Sequence, residues 1–341
     1  MGASLTRCAP RLHIGSIRQT IRINTSPAHY RVYPGEDAMS RLNYHLKCAE
    51  FFLRKCRTVF SSDLKFHTGR LREITGYCPD IKTPTTLSEK ICHRLVYERD
   101  DLYTLLADKL AVRDYVHAKT QRVKTVPLIG VYIRAEHIDF TKLPGKFVLK
   151  CNHDSGSTMV CTNKEAFNHH KSVYKLKLAL KKNMYYTTRE WQYKNIKPCI
   201  LCETYIDVYA GADQSTTPEM LRIHCFHGEA SFIEADFTDA QGKGFVNVYD
   251  RYWQLQPFRM EYPNTPEAIR EPALFHQAIL AAQELANGIG YCRVDLMLTK
   301  AHIYFSEITL SPRRGKLTIT PVEWDAKLGR RWRLKSRERL V

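Results

Sequence analysis

The stretches CRVDLML at Cys292–Leu298 and IYFSEIT at Ile303–Thr309 decide the fold. Both are strand-like runs, and residues two apart in a strand lie on the same face of a sheet. A short turn around Ala301 makes the two runs an antiparallel hairpin that places Asp295 opposite Glu307. Directly opposed carboxylates repel each other, so we expect a cation between them.

Magnesium would fit this position. Mg²⁺ takes one or two carboxylates and fills its other positions with water and substrate phosphates, so Asp295 and Glu307 are candidate ligands. Arg293 lies on the same strand face and could hold a phosphate oxygen with its planar guanidinium. The alternative is structural: Arg293 bridges the two acids as an ion pair.

A second candidate site follows the predicted strand Lys146–Lys150 (KFVLK), which ends in a lysine before the polar turn Asn152–Thr158 (NHDSGST). Gly156 between two serines lets backbone N–H groups turn toward a phosphate, and Lys150 supplies positive charge. The Walker spacing is absent. With Met159–Cys161 as the returning strand, the same pattern also fits an ordinary hairpin beside a lysine.

The predicted strand Ile200–Ile206 (ILCETYI) is apolar except for Glu203 and Thr204. A buried carboxylate is costly unless paired, so we expect Glu203 to have a fixed partner, either a lysine or a nucleotide. Cys199 and Cys202 are three apart on a strand and face opposite sides, so they do not share a metal. We interpret the 11 cysteines as free thiols.

Helical patterns separate these strands. Thr86 and Glu89 form a capping box at a helix start, and a second helix is predicted over Asp101–Ala118 with Lys109 and Arg113 on one face. Further elements are predicted as helices at 173–182 and 266–287 and as strands at 221–226, 230–235 and 244–249. The order indicates an α/β (α+β) protein with antiparallel hairpins.

The composition limits the classes of function that are possible. The formal net charge is +17, which attracts nucleotides, acidic polysaccharides, nucleic acid or anionic lipid. No apolar run reaches the ~18 residues of a membrane-spanning helix. The first 35 residues contain no Asp or Glu, as in a transit peptide or a flexible basic tail. The run 42–60 alternates basic and apolar residues; we expect a helix packed on the body, with a membrane-surface helix as the alternative.

Taken in order, these segments resemble the ATP-grasp superfamily, and more closely its TupA-like branch, which is associated with surface-polysaccharide biosynthesis. The resemblance covers roughly Thr68 to Leu334. It is carried by LSEKI (87–91), ADKLAVRDYV (107–116), LPGKFVLKCNHDSGS (143–157), REWQYKNIKP (189–198), CETYI (202–206), HCFHGE (224–229), RVDL (293–296), SEITLSP (306–312) and PVEWDAKLG (321–329).

The resemblance implies a fold in which a nucleotide binds in a cleft between two lobes of mixed or antiparallel sheet. It divides the chain into a basic, partly flexible extension (1–67), an N-terminal helical lobe (68–145), a central lobe (146–210), a C-terminal lobe with the metal site (211–334) and a basic tail (335–341).

The resemblance also implies roles for individual residues. ATP phosphates are expected at Lys109 and Lys150, under a closing turn of Asp154, Ser155, Gly156 and Ser157. Adenine is expected at the hinge strand of Glu203, Thr204, Tyr205 and Ile206. Mg²⁺ is expected at Asp295 and Glu307, with Arg293, Lys150 and Arg222 as catalytic candidates. The chain departs from the pattern at Thr309, where many ATP-grasp enzymes have Asn, and at Met220–Arg222, where relatives tend to have Asp-Tyr-Lys.

The expected activity is that of an ATP-dependent carboxylate–amine ligase with an acyl phosphate intermediate. A uronate or other glycan carboxylate and an amine or amino acid are the expected substrates, in the cytoplasm or at the inner membrane face. His153, His224 and His227 are candidate general bases. A glycosyltransferase is the first alternative, although the Asp-x-Asp triplet is absent. A basic nucleic-acid-binding protein is the second, but its usual motifs are missing, so we expect no nucleic-acid partner.

Overall fold

The computed structural model describes residues 38–334. Residues 1–37, which form most of the predicted basic extension, and the predicted tail 335–341 lie outside the described residues. The helices are α1 (Ala38–Arg57), α2 (Asp63–Thr75), α3 (Leu87–Tyr97), α4 (Asp101–Ala107), α5 (Val112–Lys119), α6 (His169–Lys181), α7 (Met184–Thr188), α8 (Phe275–Ala286) and α9 (Glu323–Gly329). The strands are β1 (Lys124–Thr125), β2 (Leu128–Tyr132), β3 (Phe147–Cys151), β4 (Met159–Cys161), β5 (Ile200–Thr204), β6 (Met220–Phe226), β7 (Glu229–Thr238), β8 (Gly244–Tyr249), β9 (Arg259–Met260), β10 (Tyr291–Leu298), β11 (Ile303–Thr309) and β12 (Ile319–Thr320).

The strands form two main sheets. The larger sheet has six strands in the order β1-β11-β10-β6-β7-β8, and the smaller has four in the order β2-β5-β3-β4, with β12 and β9 as a separate pair. The ladders are antiparallel except for the parallel pair β1 and β11. This arrangement confirms the predicted α+β class, with one sheet in each of two lobes.

One face of the six-stranded sheet forms the main core. Ile223 of β6 and Val294 of β10 are fully buried and belong to the same apolar cluster as Ala278 and Ala282 of α8. Alternation along the strands sends their polar neighbours to the opposite face. That opposite face carries the charged residues of the candidate site.

The four-stranded sheet has apolar clusters on both faces. Phe147 and Cys202 pack with Leu176 of α6, whereas Cys199 lies in a separate cluster with Val131. Cys199 and Cys202 therefore face opposite sides of the sheet, as predicted. The cysteines of residues 38–334 are free thiols.

The prediction of one helix over Asp101–Ala118 is wrong, because the chain breaks at Asp108 into α4 and α5. Asp108 Oδ1 accepts the backbone N–H two residues ahead at 2.9 Å and the side-chain amide of Asn152 at 2.9 Å. Such a carboxylate offers the backbone an alternative to the helical hydrogen bond. Lys109 therefore lies in the turn and shares no helix face with Arg113.

Two other elements are shorter than predicted. The helix predicted over Pro266–Asn287 begins only at Phe275. Proline has no N–H to donate and restricts the residue before it, so Pro266 and Pro272 disfavour helix in the first part of that range. The strand predicted to reach Ile206 ends at Thr204.

The helices nearest the N-terminus pack on the body. α1 contacts α6 and α7, as predicted for a helix packed on the main body. The side chain of Ser62 accepts the backbone N–H of Lys65 and caps α2, which therefore starts before the predicted domain boundary at residue 67 and crosses it. The local capping box of Thr86 and Glu89 is confirmed at the start of α3. Within residues 38–334, none of the helices has the length and apolar character needed to cross a membrane.

Candidate active site

The centre of the site is the hairpin of β10 and β11. Asp295 lies directly opposite Glu307 in the strand register, which confirms the predicted pairing. Asp295 is buried with 3% exposure, whereas the side chain of Glu307 is 39% exposed. One carboxylate is thus enclosed by the sheet and the other reaches into the cleft.

Arg293 supplies a cation to both acids. Its Nε and Nη2 donate to the two carboxylate oxygens of Asp295 at 2.7 and 2.6 Å, and Nη2 lies 3.9 Å from Glu307 Oε1. Nη2 also donates to Thr309 Oγ1 at 3.3 Å. The bidentate pair fixes the guanidinium plane, because both of its donors on that edge are engaged.

The pKa values of the two acids are shifted in opposite directions. Burial raises the pKa of Asp295 to about 6, and Glu307 adds to the rise, although Arg293 opposes it. Burial also acts to raise the pKa of Glu307, but Lys109 and Arg293 outweigh it, and that pKa is lowered overall. Near neutral pH, Glu307 is therefore more fully ionised than Asp295.

Lys109 connects the two lobes. Its Nζ donates to the backbone carbonyl oxygen of Asp154 in the turn after β3 at 2.6 Å and lies 4.0 Å from Glu307 Oε2 on β11. The Lys109 side chain is 13% exposed, so its ammonium is held in the cleft and not in open solvent. Although Lys109 is in a turn and not on a helix, it still reaches the acid pair.

Lys150 and Glu203 form an ion pair inside the smaller lobe. Lys150 Nζ lies 2.7 Å from Glu203 Oε2, and Arg113 Nη1 lies 3.5 Å from Glu203 Oε1. Glu203 is 4% exposed, so the expected fixed partner is a lysine, assisted by an arginine. The positive charge of Lys150 also contributes to the lowered pKa of Glu307.

The turn after β3 is held by its own side chains. Ser157 Oγ donates to Asp154 Oδ1 at 2.6 Å and accepts the N–H of Cys151 at 2.8 Å. Asp154 is buried, whereas Ser155 and Gly156 are exposed at the tip. Gly156 has φ of 106°, a conformation that L side chains rarely adopt. The Asp154 carboxylate therefore shapes the turn, and the exposed tip is the part free to meet a ligand.

The predicted adenine hinge runs past the end of β5. Thr204 donates its N–H to Pro127 O at 3.0 Å, and Tyr205 and Ile206 are half-buried beyond the strand. The Lys146 ammonium lies 5.6 Å from the centre of the Tyr205 ring, a cation–π distance. The hinge thus begins beside Glu203 and leaves the sheet at Tyr205.

The donor set suits Mg²⁺. Within the part of the chain that the structure describes, no group of three or more His, Cys, Asp or Glu side chains is arranged to hold a metal ion. Asp295 and Glu307 nevertheless supply two oxygen donors from adjacent strands, and Mg²⁺ is commonly held by one or two carboxylates plus substrate phosphates. The residues present therefore fit magnesium bound together with a nucleotide.

A comparison with models of protein families identifies the family of the chain. The model described as TupA-like ATPgrasp matches residues 89–333, which is most of the chain. The chain belongs to this family. The predicted family and the predicted ATP-grasp fold are thus both confirmed. A search of curated proteins finds no match to this TupA-like protein.

Several solved ligase structures are similar to this TupA-like protein. The D-alanine–D-alanine ligase from Bacillus anthracis in complex with ATP shares 17% identity, with 60% of this chain and 54% of that chain covered and a TM-score of 0.33. The corresponding enzyme from Helicobacter pylori shares 14% identity, with 66% and 59% covered and a TM-score of 0.35. The ATP-grasp ligase PsnB complexed with a minimal precursor shares 10% identity, with 62% and 53% covered and a TM-score of 0.33. The chain thus spans little more than half the length of each ligase.

Arg222 of the TupA-like protein belongs to a charged row across the larger sheet. It lies opposite Asp295 on one side and opposite Glu234 on the other, and its guanidinium forms an ion pair with Asp236. Burial raises the pKa of Asp236 to about 7, with a further rise from Glu234 and Asp295. Glu234 and Asp236 were missed by sequence reasoning, although their two-residue spacing on β7 is the signal that could have found them.

The three candidate histidines have other partners. The imidazole of His153 lies within 3.1 Å of the carbonyl oxygens of Ala179 and Lys182, beneath the turn. His224 is fully buried, and its ring contacts Glu234 Oε1 at 2.7 Å and the Tyr291 hydroxyl at 2.9 Å. His227 Nε2 accepts the backbone N–H of Arg333 at the far end of β6. The structure therefore brings none of these three to the Asp295–Glu307 pair of the TupA-like protein.

Tyr193 is a further residue that sequence reasoning missed. Burial raises the pKa of its hydroxyl far above the usual value, and the carboxylates of Glu190, Glu307 and Asp154 add to that rise. The charges of acids from both lobes thus act on Tyr193. No motif or strand pattern marks it, because it is the last residue of the short 3-10 turn Trp191–Tyr193, whose position depends on tertiary packing.

Proposed function

We propose that this TupA-like ATP-grasp protein is an ATP-dependent carboxylate–amine ligase that works through an acyl phosphate. The single observation that carries the proposal is the position of Lys109, which contacts the turn of one lobe at Asp154 O and lies 4.0 Å from Glu307 of the other. A triphosphate in that cleft meets Lys109, Lys150 and the acid pair together.

The charges present suit phosphoryl transfer to a carboxylate. That step brings two anions together, and each opposite charge ~4 Å away contributes about 4 kcal/mol at an effective dielectric near 20. Lys109 and Lys150 would hold the phosphates, and Arg293 would face the transferred group from the sheet. Bound Mg²⁺, held by Asp295 and Glu307, would neutralise charge on the phosphate oxygens.

The two steps balance without further reagents. A carboxylate oxygen attacks the terminal phosphorus of ATP, the bond to the bridging oxygen breaks, and ADP leaves. A neutral amine then attacks the acyl carbon, phosphate leaves, and the amine proton passes to a base. Acyl phosphates hydrolyse readily, so the exposed tip at Ser155 and Gly156 is the segment suited to close and exclude water.

For the substrates, we propose a uronic acid or another glycan carboxylate and an amine such as an amino acid. The net charge of +17 favours a polyanionic acceptor. A cytoplasmic reaction at the inner membrane face would bring the enzyme to such acceptors. Leu42, Leu46, Phe52 and Leu53 on α1 are exposed apolar side chains on a helix that also carries lysines and arginines, as in helices that bind anionic membrane surfaces.

The decisive experiment supplies Mg-ATP, a set of uronates and a panel of amines to the full chain. We expect ADP and an amide product, detected by mass spectrometry, only when both co-substrates are present. Lys109→Met should abolish turnover, whereas Lys142→Met, at a side chain that is 83% exposed, is the matched control and should keep it. Consumption of a sugar nucleotide with ATP intact would favour a glycosyltransferase instead. Salt-sensitive binding to random DNA without turnover would favour a nucleic-acid-binding protein.

A further inference from the structure

Arg70 on α2 has a guanidinium without a partner. Its Nη1 and Nη2 atoms are shielded from solvent and have no hydrogen-bond partner within residues 38–334. A guanidinium has five N–H donors and keeps its charge inside a protein, so leaving it buried and unbonded is unfavourable. The side chain rests against the Phe66 ring, with its Cζ 5.5 Å from the ring centre. The Nη donors of Arg70 are thus held in place without an acceptor from residues 38–334.

The rest of α2 faces the segment that precedes Tyr193. Asp63 pairs with Arg189 Nη1 at 2.9 Å, and His67 Nε2 lies 3.2 Å from the carbonyl oxygen of Arg189. Asp63, His67 and Arg70 recur at four- and three-residue intervals and lie on one side of the helix. The same helix face that docks on Arg189 therefore presents the free guanidinium of Arg70.

The loop after β11 carries two further cations, Arg314 and Lys316, and packs on α3, as α2 does. Arg314 O accepts a hydrogen bond from Cys92 Sγ at 3.6 Å, and Cys92 packs with Leu71, the neighbour of Arg70. Burial lowers the pKa of Arg70, and repulsion from Arg314 lowers it further. The pKa of Lys316 is lowered by burial and then by repulsion from the same two arginines. The three positive side chains are thus near enough to one another for their charges to repel.

Three successive residues of the loop after β11 have left-handed backbone conformations. Arg313 and Arg314 have φ of 48° and 60°, so two successive non-glycine residues are left-handed. Gly315 follows with φ of 77°, and a Cβ there would come within 2.6 Å of Ser88 O. Arg313 is tied to Glu261 by an ion pair. Strained conformations of this kind persist where the surrounding structure enforces them, and they cluster at functional sites.

Electrostatic interactions through Glu190 and Tyr193 connect this cluster to the candidate site. Glu190 acts electrostatically on Arg70, and both Glu190 and Glu307 act on Tyr193. Glu190 is the nearby buried acid, and its Oε1 already accepts from Ser311 Oγ at 2.8 Å. Glu73 also acts electrostatically on Arg70 and on Lys316. Two carboxylates leave one of the three cations uncompensated, and the Nη donors of Arg70 have no acceptor within residues 38–334, so an anionic ligand suits this position.

We propose that Arg70, Arg314 and Lys316 form an anion-binding site for a second negatively charged group of the carboxylate substrate, either a carboxylate or a phosphate. The reacting carboxylate would lie at Arg293, and the second anion would fix the other end of the molecule. The substrate assignment rests on the proposed ligase function, whereas the anion site itself does not.

The test is titration calorimetry of the full chain with inorganic phosphate and, separately, D-glucuronate, which distinguishes the two anions. We expect Arg70→Met and Arg314→Met to weaken binding of the preferred anion by about tenfold or more, as expected for loss of charge-assisted hydrogen bonds. Arg72→Met is the matched control, because Arg72 is exposed on the same helix, and it should bind as the wild type does. Equal affinity of Arg70→Met and Arg72→Met, or no binding of either anion to the wild type, overturns the proposal.

A stability measurement separates binding from a structural role. In anion-free buffer an unpaired buried charge destabilises the fold, so Arg70→Met should melt at or above the temperature of Arg72→Met. Melting below that control for both Arg70→Met and Arg314→Met shows a structural cluster and overturns the proposal. Loss of anion binding with ligase turnover absent from the wild type supports the site and refutes the ligase. Turnover on a dicarboxylic acid with an unchanged KM in Arg70→Met supports the ligase and refutes the anion-binding site.

Discussion

Replacing Lys150 with methionine removes the close partner of a buried acid. Glu203 is 4% exposed, and Lys150 Nζ lies 2.7 Å from its carboxylate, whereas Arg113 remains at 3.5 Å. Breaking a buried ion pair by removing one partner destabilises a protein by about 3–5 kcal/mol. Because Arg113 still compensates part of the charge, we expect the lower end, about 3 kcal/mol, measured as the free energy of unfolding in urea.

Lys142→Met serves as the control for Lys150→Met, and Glu203→Gln serves as the compensating second substitution. Lys142→Met, at a side chain that is 83% exposed, should change the free energy of unfolding by less than about 0.5 kcal/mol. Adding Glu203→Gln to Lys150→Met removes the unpaired charge and should recover about 1–3 kcal/mol, a coupling that a double-mutant cycle isolates. If Lys150→Met is as stable as Lys142→Met, the buried pair does not stabilise this lobe and the reasoning fails.

Three further outcomes are expected at the acid pair and its neighbours. Arg293→Lys loses the two-point contact to Asp295 and should lower ligase turnover about 100-fold, while an unchanged rate would contradict its role. Glu307→Gln should raise the Mg²⁺ concentration needed for stabilisation by ATP about tenfold, measured by thermal shift. The pKa of Asp236 is raised to about 7 from its usual value of 3.8, so between these two pH values the folded state holds a proton that the unfolded state has lost. The free energy of unfolding should therefore fall as pH rises from about 4 to 7. Asp236→Asn should flatten that dependence, and an unchanged urea midpoint profile would show that another group causes it.

The acid pair was predictable because hairpin register depends on local information. Strand alternation and a short turn together fix which residues face each other, and a shift of one residue would turn every side chain to the wrong face. The sequence alone therefore predicted that Asp295 lies opposite Glu307. The capping box of Thr86 and Glu89 was equally local, since both partners lie within one helical turn.

The residues that escaped prediction depend on partners far away in the chain. The helix break at Asp108 is stabilised by the amide of Asn152, which no local pattern reveals. Arg70 and Arg314 come together only because α2 and the loop after β11 both pack on α3. Tyr193 likewise takes its position from the packing of its short 3-10 turn against α4 and α7.

The ammonium of Lys109 is shared between the lobes, and under the proposed function this sharing would make nucleotide binding and metal binding interdependent. An incoming phosphate competes with Glu307 for the same positive charge, so a nucleotide that draws Lys109 toward itself leaves the Glu307 carboxylate more attractive to a divalent cation. Reciprocity then requires that a cation on Glu307 release Lys109 for the nucleotide by the same free energy. Each of the two proposed ligands would thus increase the affinity for the other through one side chain.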